Sequence, residues 1–243
     1  DIVINLIGIL YETRKQNFYN IHTNIPDLVS KICSESDVKK FIHISAIGAS
    51  DTSNSLYQKS KYQGEVKALK NFKNTIIIRP SVVCGTEDKF TNLFSKLSFL
   101  PVIPVCGINY NFQPILVSDV ADAIVQSIQI KNNEKNIYEI GGPKIISFGS
   151  MIKSILKTIN KKRLVVEMPM IIAKAQSTII DLLPITPILT KDQCKILTEA
   201  DNVVSNKHLT LKDLDINPSD VEEAMKKWLW RYRDGGQFAN KKI

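Results

Sequence analysis

Residues 40–61 read KFIHISAIGASDTSNSLYQKSK, and this stretch decides the fold. Lys40–Ala46 is a short apolar run, the pattern of a strand covered on both faces of a parallel sheet. Gly48–Ser55 is a polar loop. Leu56–Asn71 then reads as a helix. Asn74–Pro80 (NTIIIRP) follows as a further buried strand. Upstream, Asp1–Ile9 (DIVINLIGI) reads as one more such strand. Asn17–Ser34 is helical in pattern, with Ile21, Ile25, Leu28, Val29 and Ile32 on one side and Pro26 as a blemish. Strand, helix, strand, helix and strand at this spacing predict an α/β fold. Its core is a Rossmann-type parallel sheet with helices on its faces and right-handed crossovers.

Downstream the pattern loosens. Glu87–Phe99 reads as a helix and Leu100–Gln113, with Pro101, Pro104 and Gly107, as irregular. Pro114–Val117, Ile137–Ile140 and Leu164–Met168 read as short strands. Ser118 and Ser147 stand where N-caps belong, and Thr190/Gln193 and Ser219/Glu222 have capping-box spacing. The expected division is a partial dinucleotide-binding domain over 1–145, with 100–120 contributing to a small lobe, and a mostly helical C-terminal lobe over 146–243. An apolar run that opens directly at Asp1, not Met, reads as a fragment. The βαβ bookkeeping expects about 70 further residues upstream, carrying a strand and a glycine-rich turn.

Composition narrows the function. Four scattered cysteines, none in a C-x-x-C pair, and three scattered histidines argue against zinc and for free thiols. Few aromatic residues argue against a nucleic-acid stacking surface. Met168–Leu189 comes nearest to a membrane span, but Lys174, Gln176 and Asp181 interrupt it, and Pro184 and Pro187 break it. The net charge of +8 is partly local: from Lys226 onward there are six Lys/Arg against one acid, Asp234. That tail reads either as a solvated basic face or as contact with an acidic partner or an anionic membrane surface. Trp228, Trp230 and Tyr232 either pack on the body or anchor a partner.

The sharpest local chemistry is Tyr57-Gln58-Lys59-Ser60-Lys61. A tyrosine and a lysine four apart share one helix face. An ammonium beside a phenol lowers the phenol's pKa from about 10 and suits it to move a proton at a carbonyl. Strands ending in Ser45-Ala46 and Arg79-Pro80 flank the pair, and ligands bind at strand carboxyl ends in open α/β sheets. Blander readings apply elsewhere: His43 as a satisfied core histidine, Asp119 as an acid at a helix N-terminus, Arg79 as a strand-end charge, Cys84 and Cys106 as buried small residues.

Together these segments resemble the extended short-chain dehydrogenase/reductase family, the NAD-dependent epimerase/dehydratase superfamily. More narrowly they resemble its atypical branch related to the nucleotide-binding accessory subunit of respiratory complex I. The resemblance runs through Asn5-Leu6-Ile7-Gly8, His43-Ile44-Ser45-Ala46, Ser60-Lys61 with Gly64-Glu65, Arg79-Pro80-Ser81 with Gly85-Thr86-Glu87-Asp88, and Phe112-Gln113-Pro114. It continues through Gly141-Gly142-Pro143, Thr190–Gln193, Asp201–Val204 and Trp230–Arg233. It implies an NAD or NADP site. Asn5, Leu6, Ile7 and Gly8 would lie beside the adenine ribose and pyrophosphate, Ser45 and Ala46 near the nicotinamide, and Pro80, Ser81, Val82 and Val83 over it. Tyr57, Lys61 and Ser45 would be the catalytic set.

Two departures accompany the resemblance. The chain has no G-x-x-G-x-x-G loop. Ala46 stands where active relatives carry a catalytic serine or threonine, leaving Ser45 as the substitute. Two functions follow as expectations. One is a cofactor-holding accessory or assembly protein on respiratory complex I subunits and the membrane surface, either in the bacterial cytoplasm or on the mitochondrial matrix side. The other is an active oxidoreductase or sugar-nucleotide epimerase using Tyr57 and Lys61.

Overall fold

A computed structural model describes residues 1–130, 136–169, 190–199, 201–205 and 207–238. Most of the apolar stretch Met168–Leu189 lies outside them. The chain forms two compact units, and neither is continuous. The first comprises Asp1–Ser81, Val120–Gly141 and Val204–Asn217; the second comprises Val82–Asp119, Gly142–Val203 and Pro218–Ile243. Contacts thus divide the chain by interleaving.

The first unit is built on a four-stranded sheet of β1 (Ile2–Asn5), β2 (Lys40–Ile44), β3 (Thr75–Pro80) and β8 (Ile137–Ile140), in the order β1-β2-β3-β8. Every neighbouring pair is parallel, with Asn5 opposite His43, His43 opposite Ile77 and Arg79 opposite Glu139. This is the α/β, Rossmann-type fold class that the strand–helix alternation predicts. Helices α1 (Ile25–Glu35) and α2 (Leu56–Asn71) pack on one sheet face, where Cys33, Phe41, Ala68 and Ile77 form a common core.

Local sequence explains the elements. Pro26 is no flaw, because it stands in the first turn of α1, where a missing N–H costs nothing. A π-helical turn, Tyr19–Asn24, precedes it. α2 starts at Ser55, whose side chain accepts from Gln58 N–H, and α3 (Lys89–Leu97) starts at Asp88, whose side chain accepts from Thr91 N–H. α4 (Val117–Gln129) ends on Lys40 of β2, whose ammonium donates to the carbonyls of Ser127, Ile128 and Ile130 at 3.0, 2.9 and 2.5 Å. β1 departs from expectation. It is the edge strand, and Ile2 and Ile4 are each 42% exposed instead of covered on both faces.

The second unit has its own core, including Phe94, Phe112, Met151, Ile155, Trp228 and Leu229. Three two-stranded sheets surround it: β5 (Val102–Val105) with β10 (Leu164–Glu167), β4 (Val83–Cys84) with β7 (Ile115–Leu116), and β6 (Asn111–Phe112) with β9 (Ile146–Ser147). β5 and β6 fall in the stretch expected to be irregular. Ser147 caps Phe148–Thr158, and Thr190/Gln193 forms a true capping box. The other two caps shift by a residue or two. Asp220, not Ser219, caps Val221–Ala224, while Ser118 lies inside the first turn of α4. Asp119 does more than sit at a helix start: it is buried and accepts from Ser219 N–H at 2.8 Å. Of the C-terminal aromatics, Trp228 and Tyr232 pack on the body and Trp230 is exposed. Arg231 lies over the Tyr232 and Phe238 rings, and Arg233 donates to Thr158 O. All four cysteines are buried.

Candidate functional site

Three pieces of the first unit meet at the carboxyl ends of β1 and β2. Each is brought close by a specific residue. A Cβ on Gly8 would stand 3.3 Å from Lys61 Nζ and 3.6 Å from His22 Nε2, so residue 8 runs close against both side chains. A Cβ on Gly64 would stand 1.9 Å from the His22 carbonyl oxygen, so α2 can lie against the π-helical turn only because residue 64 is glycine. Gly48, at φ +88°, turns the chain after β2 onto Gln58 in the first turn of α2.

Lys61 is the centre of this meeting. Its amine is buried, donates to the Ile44 carbonyl at 3.1 Å and lies 6.0 Å from the centroid of the Tyr57 ring. The Tyr57 ring is wedged edge-on against Phe18 and His22, at 5.7 and 5.2 Å between centroids. His22 has its tautomer fixed by its neighbours. Nε2 accepts from Ile9 N–H at 3.0 Å, so Nδ1 carries the proton and donates to Ser60 Oγ at 3.0 Å. Ser60 in turn donates to the Tyr57 carbonyl. On β2, His43 Nδ1 accepts from the Asn5 amide at 3.1 Å, and Asn5 Oδ1 accepts from Ile7 N–H.

Burial sets the electrostatics. It pushes the Lys61 amine down to about 8, against a smaller upward pull from Glu65. It pushes the Tyr57 phenol up to about 12. The spacing-based expectation was the opposite direction for Tyr57, and the geometry explains the reversal. The half-buried ring packs edge-on against Phe18 and His22, and the cost of desolvating a phenolate there outweighs the pull of the ammonium. His22 and His43 are both driven down to about 3, by burial first and by the Lys61 charge second, so both imidazoles are neutral.

Of the residues expected here, the structure brings Gly8 and Tyr57 close to the Lys61 amine, while Asn5 pairs with His43. Leu6 and Ile7 are exposed, at 67% and 50%. Ser45 follows β2, its N–H still paired with Ile78 O. Side-chain alternation puts it on the face of Phe41 and His43 and puts Ala46 on the other face. Ser45 is buried, and its Oγ, like His43 Nε2, has no hydrogen-bond partner among the described residues. Pro80 ends β3, with its carbonyl accepting from Ile47 N–H, and Ser81 follows it. Val82 and Val83 belong to the second unit.

The reading of residues in isolation missed His22, Ser60, Glu65 and Arg79. Arg79 is far from a simple strand-end charge. It is buried and grips Glu65 with two bonds, Nε to Oε1 at 2.9 Å and Nη2 to Oε2 at 2.6 Å. Its Nη1 reaches Glu139 Oε1 at 3.3 Å and His208 Nε2 at 3.1 Å. The one available signal was spacing: Glu65 follows Lys61 by one helical turn. Among the described residues no group of His, Cys, Asp or Glu is arranged to hold a metal.

No protein-family model matches the chain. Among curated proteins it is 32% identical to the Arabidopsis thaliana mitochondrial NADH dehydrogenase (ubiquinone) 1 alpha subcomplex subunit 9, over 97% of this chain and 61% of that protein. It is 29% identical to the Mus musculus protein of the same name, over 96% and 62%. The Neurospora crassa mitochondrial NADH-ubiquinone oxidoreductase 40 kDa subunit is 27% identical, over 98% and 63%. The chain thus spans under two thirds of the length of these relatives. Among solved structures, a dTDP-4-dehydrorhamnose reductase from Clostridium acetobutylicum superposes with a TM-score of 0.67 at 16% identity, over 94% of this chain and 79% of that one. A UDP-glucuronic acid 4-epimerase from Bacillus cereus, solved with UDP-glucuronic acid and NAD, does so at 0.65 and 16%, over 94% and 75%. At these identities the structures establish the fold.

Proposed function

We propose that this chain, a homologue of the mitochondrial accessory subunits of respiratory complex I, holds a nicotinamide dinucleotide within an accessory subunit of that complex, peripheral to the inner membrane on the matrix side. The single observation that carries the proposal is collinear similarity to the plant subunit over nearly the whole chain. Among the described residues no helix is long and apolar enough to cross a membrane.

The residues around Lys61 fit one end of a dinucleotide. A buried ammonium and a neutral phenol are both donors at the carboxyl edge of a parallel sheet, and the segment from Leu6 to Gly8 is exposed beside them. Lys61 would hold the ribose hydroxyls, and Asn5 to Gly8 would line the adenine ribose and pyrophosphate. A bound nicotinamide supplies hydride transfer. Ala46 and the enclosed Ser45 leave that chemistry without an exposed hydroxyl beside Tyr57, which favours holding the cofactor over turning it over.

Co-migration tests the proposal. Tagged full-length protein, expressed in its own host, is expected to run with complex I in native gels and to bind NADPH or NADH. Migration as a free species, with complex I assembled normally in its absence, counts against it. The second reading, an active oxidoreductase or epimerase, rests on the Tyr57/Lys61 pair. It requires carbonyl turnover that disappears in Tyr57→Phe.

A further inference from the structure

Four buried charges run through the first unit with alternating sign. Lys61 and Glu65 stand one turn apart on α2, 5% and 2% exposed. Arg79 on β3 takes both Glu65 oxygens. Glu139 on β8 accepts from Arg79 with Oε1 and from Ser205 N–H with Oε2, the latter at 2.8 Å. The row sums to zero charge. That is how four ionised groups can be buried together, since each otherwise carries a large desolvation cost.

We infer that Glu65 is a positioning residue for Lys61: from one turn along α2 its buried carboxylate favours the charged amine, and Arg79, itself paired with Glu139, holds Glu65 in place. The charged and titratable groups around Lys61 single it out. From the π-helical turn comes His22, and from β2 comes His43, both neutral imidazoles driven down by the same lysine. From α2 come Tyr57, a neutral phenol, and Glu65. Glu65 is the carboxylate that favours the charged amine. Arg79, on β3, prevents the Glu65 carboxylate from swinging away, because a bidentate fork fixes its plane as well as its place. His208 closes the far end. Its Nε2 accepts from Arg79, so it too is neutral there.

The inference rests on the proposed dinucleotide site only for its second readout. The first is the titration of Lys61 itself in the full-length protein, followed by NMR of lysine labelled at Cε and assigned with Lys61→Arg. Glu65→Gln is expected to lower the Lys61 midpoint by about 1 unit or more, the usual effect of losing a near counter-charge. Glu65→Asp, which keeps the charge, is expected to recover most of it. Should E65Q fail to fold, the double variant E65Q/R79M removes the pair together and is titrated in its place. A midpoint unchanged in the variant overturns the inference. The second readout is NADPH affinity against pH, whose upper limb is expected to move with the Lys61 midpoint. Wild-type protein that binds no dinucleotide sinks the proposed function but leaves the titration to decide on Glu65. Wild-type binding whose pH profile is identical in E65Q sinks the role of Glu65 alone.

Discussion

His22 Nδ1 donates to Ser60 Oγ at 3.0 Å, joining the π-helical turn before α1 to the helix that carries Tyr57 and Lys61. Both partners are buried, and the ring is also fixed by Ile9 N–H. The Ile9 bond exists only while the imidazole is neutral, because a protonated Nε2 cannot accept. Protonation would put a cation beside Lys61.

Acid should therefore unfold the first unit early. His22 and His43 have folded values of about 3, below the ordinary value of about 6.5. A base whose folded value is depressed contributes stability that is present above 6.5 and lost as pH falls from there toward 3, because the unfolded chain binds the proton more readily. Each contributes on the order of 3–5 kcal/mol at full titration. Denaturant midpoints measured from pH 7 to 4 are expected to fall steadily, and His43→Gln is expected to flatten part of the slope. A profile level down to pH 4 would speak against neutral buried histidines.

Gly64→Ala should be severe. Its Cβ would stand 1.9 Å from the His22 carbonyl oxygen, which belongs to backbone and cannot move aside cheaply. About 3 kcal/mol is expected to be lost, the upper range for overpacking. Urea denaturation measures it. Gly235→Ala, where no atom lies within 4 Å but φ is +78°, is expected to cost only about 1 kcal/mol of backbone strain.

Lys40 closes the C-terminal end of α4 by donating to three carbonyls from a 6% exposed position. Lys40→Met keeps the stem and removes the donors, leaving those oxygens unsatisfied. A loss of about 2–3 kcal/mol is expected, as for hydrogen bonds to charged groups, with the denaturant slope unchanged. Hydrogen exchange should quicken in the last turn of α4 first.

The four thiols offer a check on packing in both units. Cys33, Cys84, Cys106 and Cys194 are between 0% and 4% exposed. None is expected to react quickly with a thiol reagent in the native state, and all four should react on denaturation. One fast thiol in the native protein would contradict the packing at that cysteine.

The sequence made some of this legible and hid the rest for definite reasons. Leu56–Asn71 and Ile137–Ile140 have the bounds expected of them, because the helix opens on the Ser55 cap and the strand is isoleucine-rich and closed by Gly141-Gly142-Pro143. β5 was hidden by Pro101, Pro104 and Gly107, and its partner β10 lies about sixty residues away, where local pattern cannot see it. Tyr57 and Lys61 announced themselves by spacing. The charge state of Tyr57 did not, because it depends on Phe18 and His22, some forty residues earlier. Arg79 looked like an ordinary strand end because Glu139 and His208 join it only in the folded sheet.

The dinucleotide site is tested most directly by calorimetric titration of the full-length protein with NADPH and NADH, wild type against Lys61→Ala, with folding of both confirmed by circular dichroism. One equivalent bound by the wild type and a large loss of affinity in the variant is the predicted result. No binding to the wild type, or equal binding by both proteins, would contradict a cofactor held at Lys61.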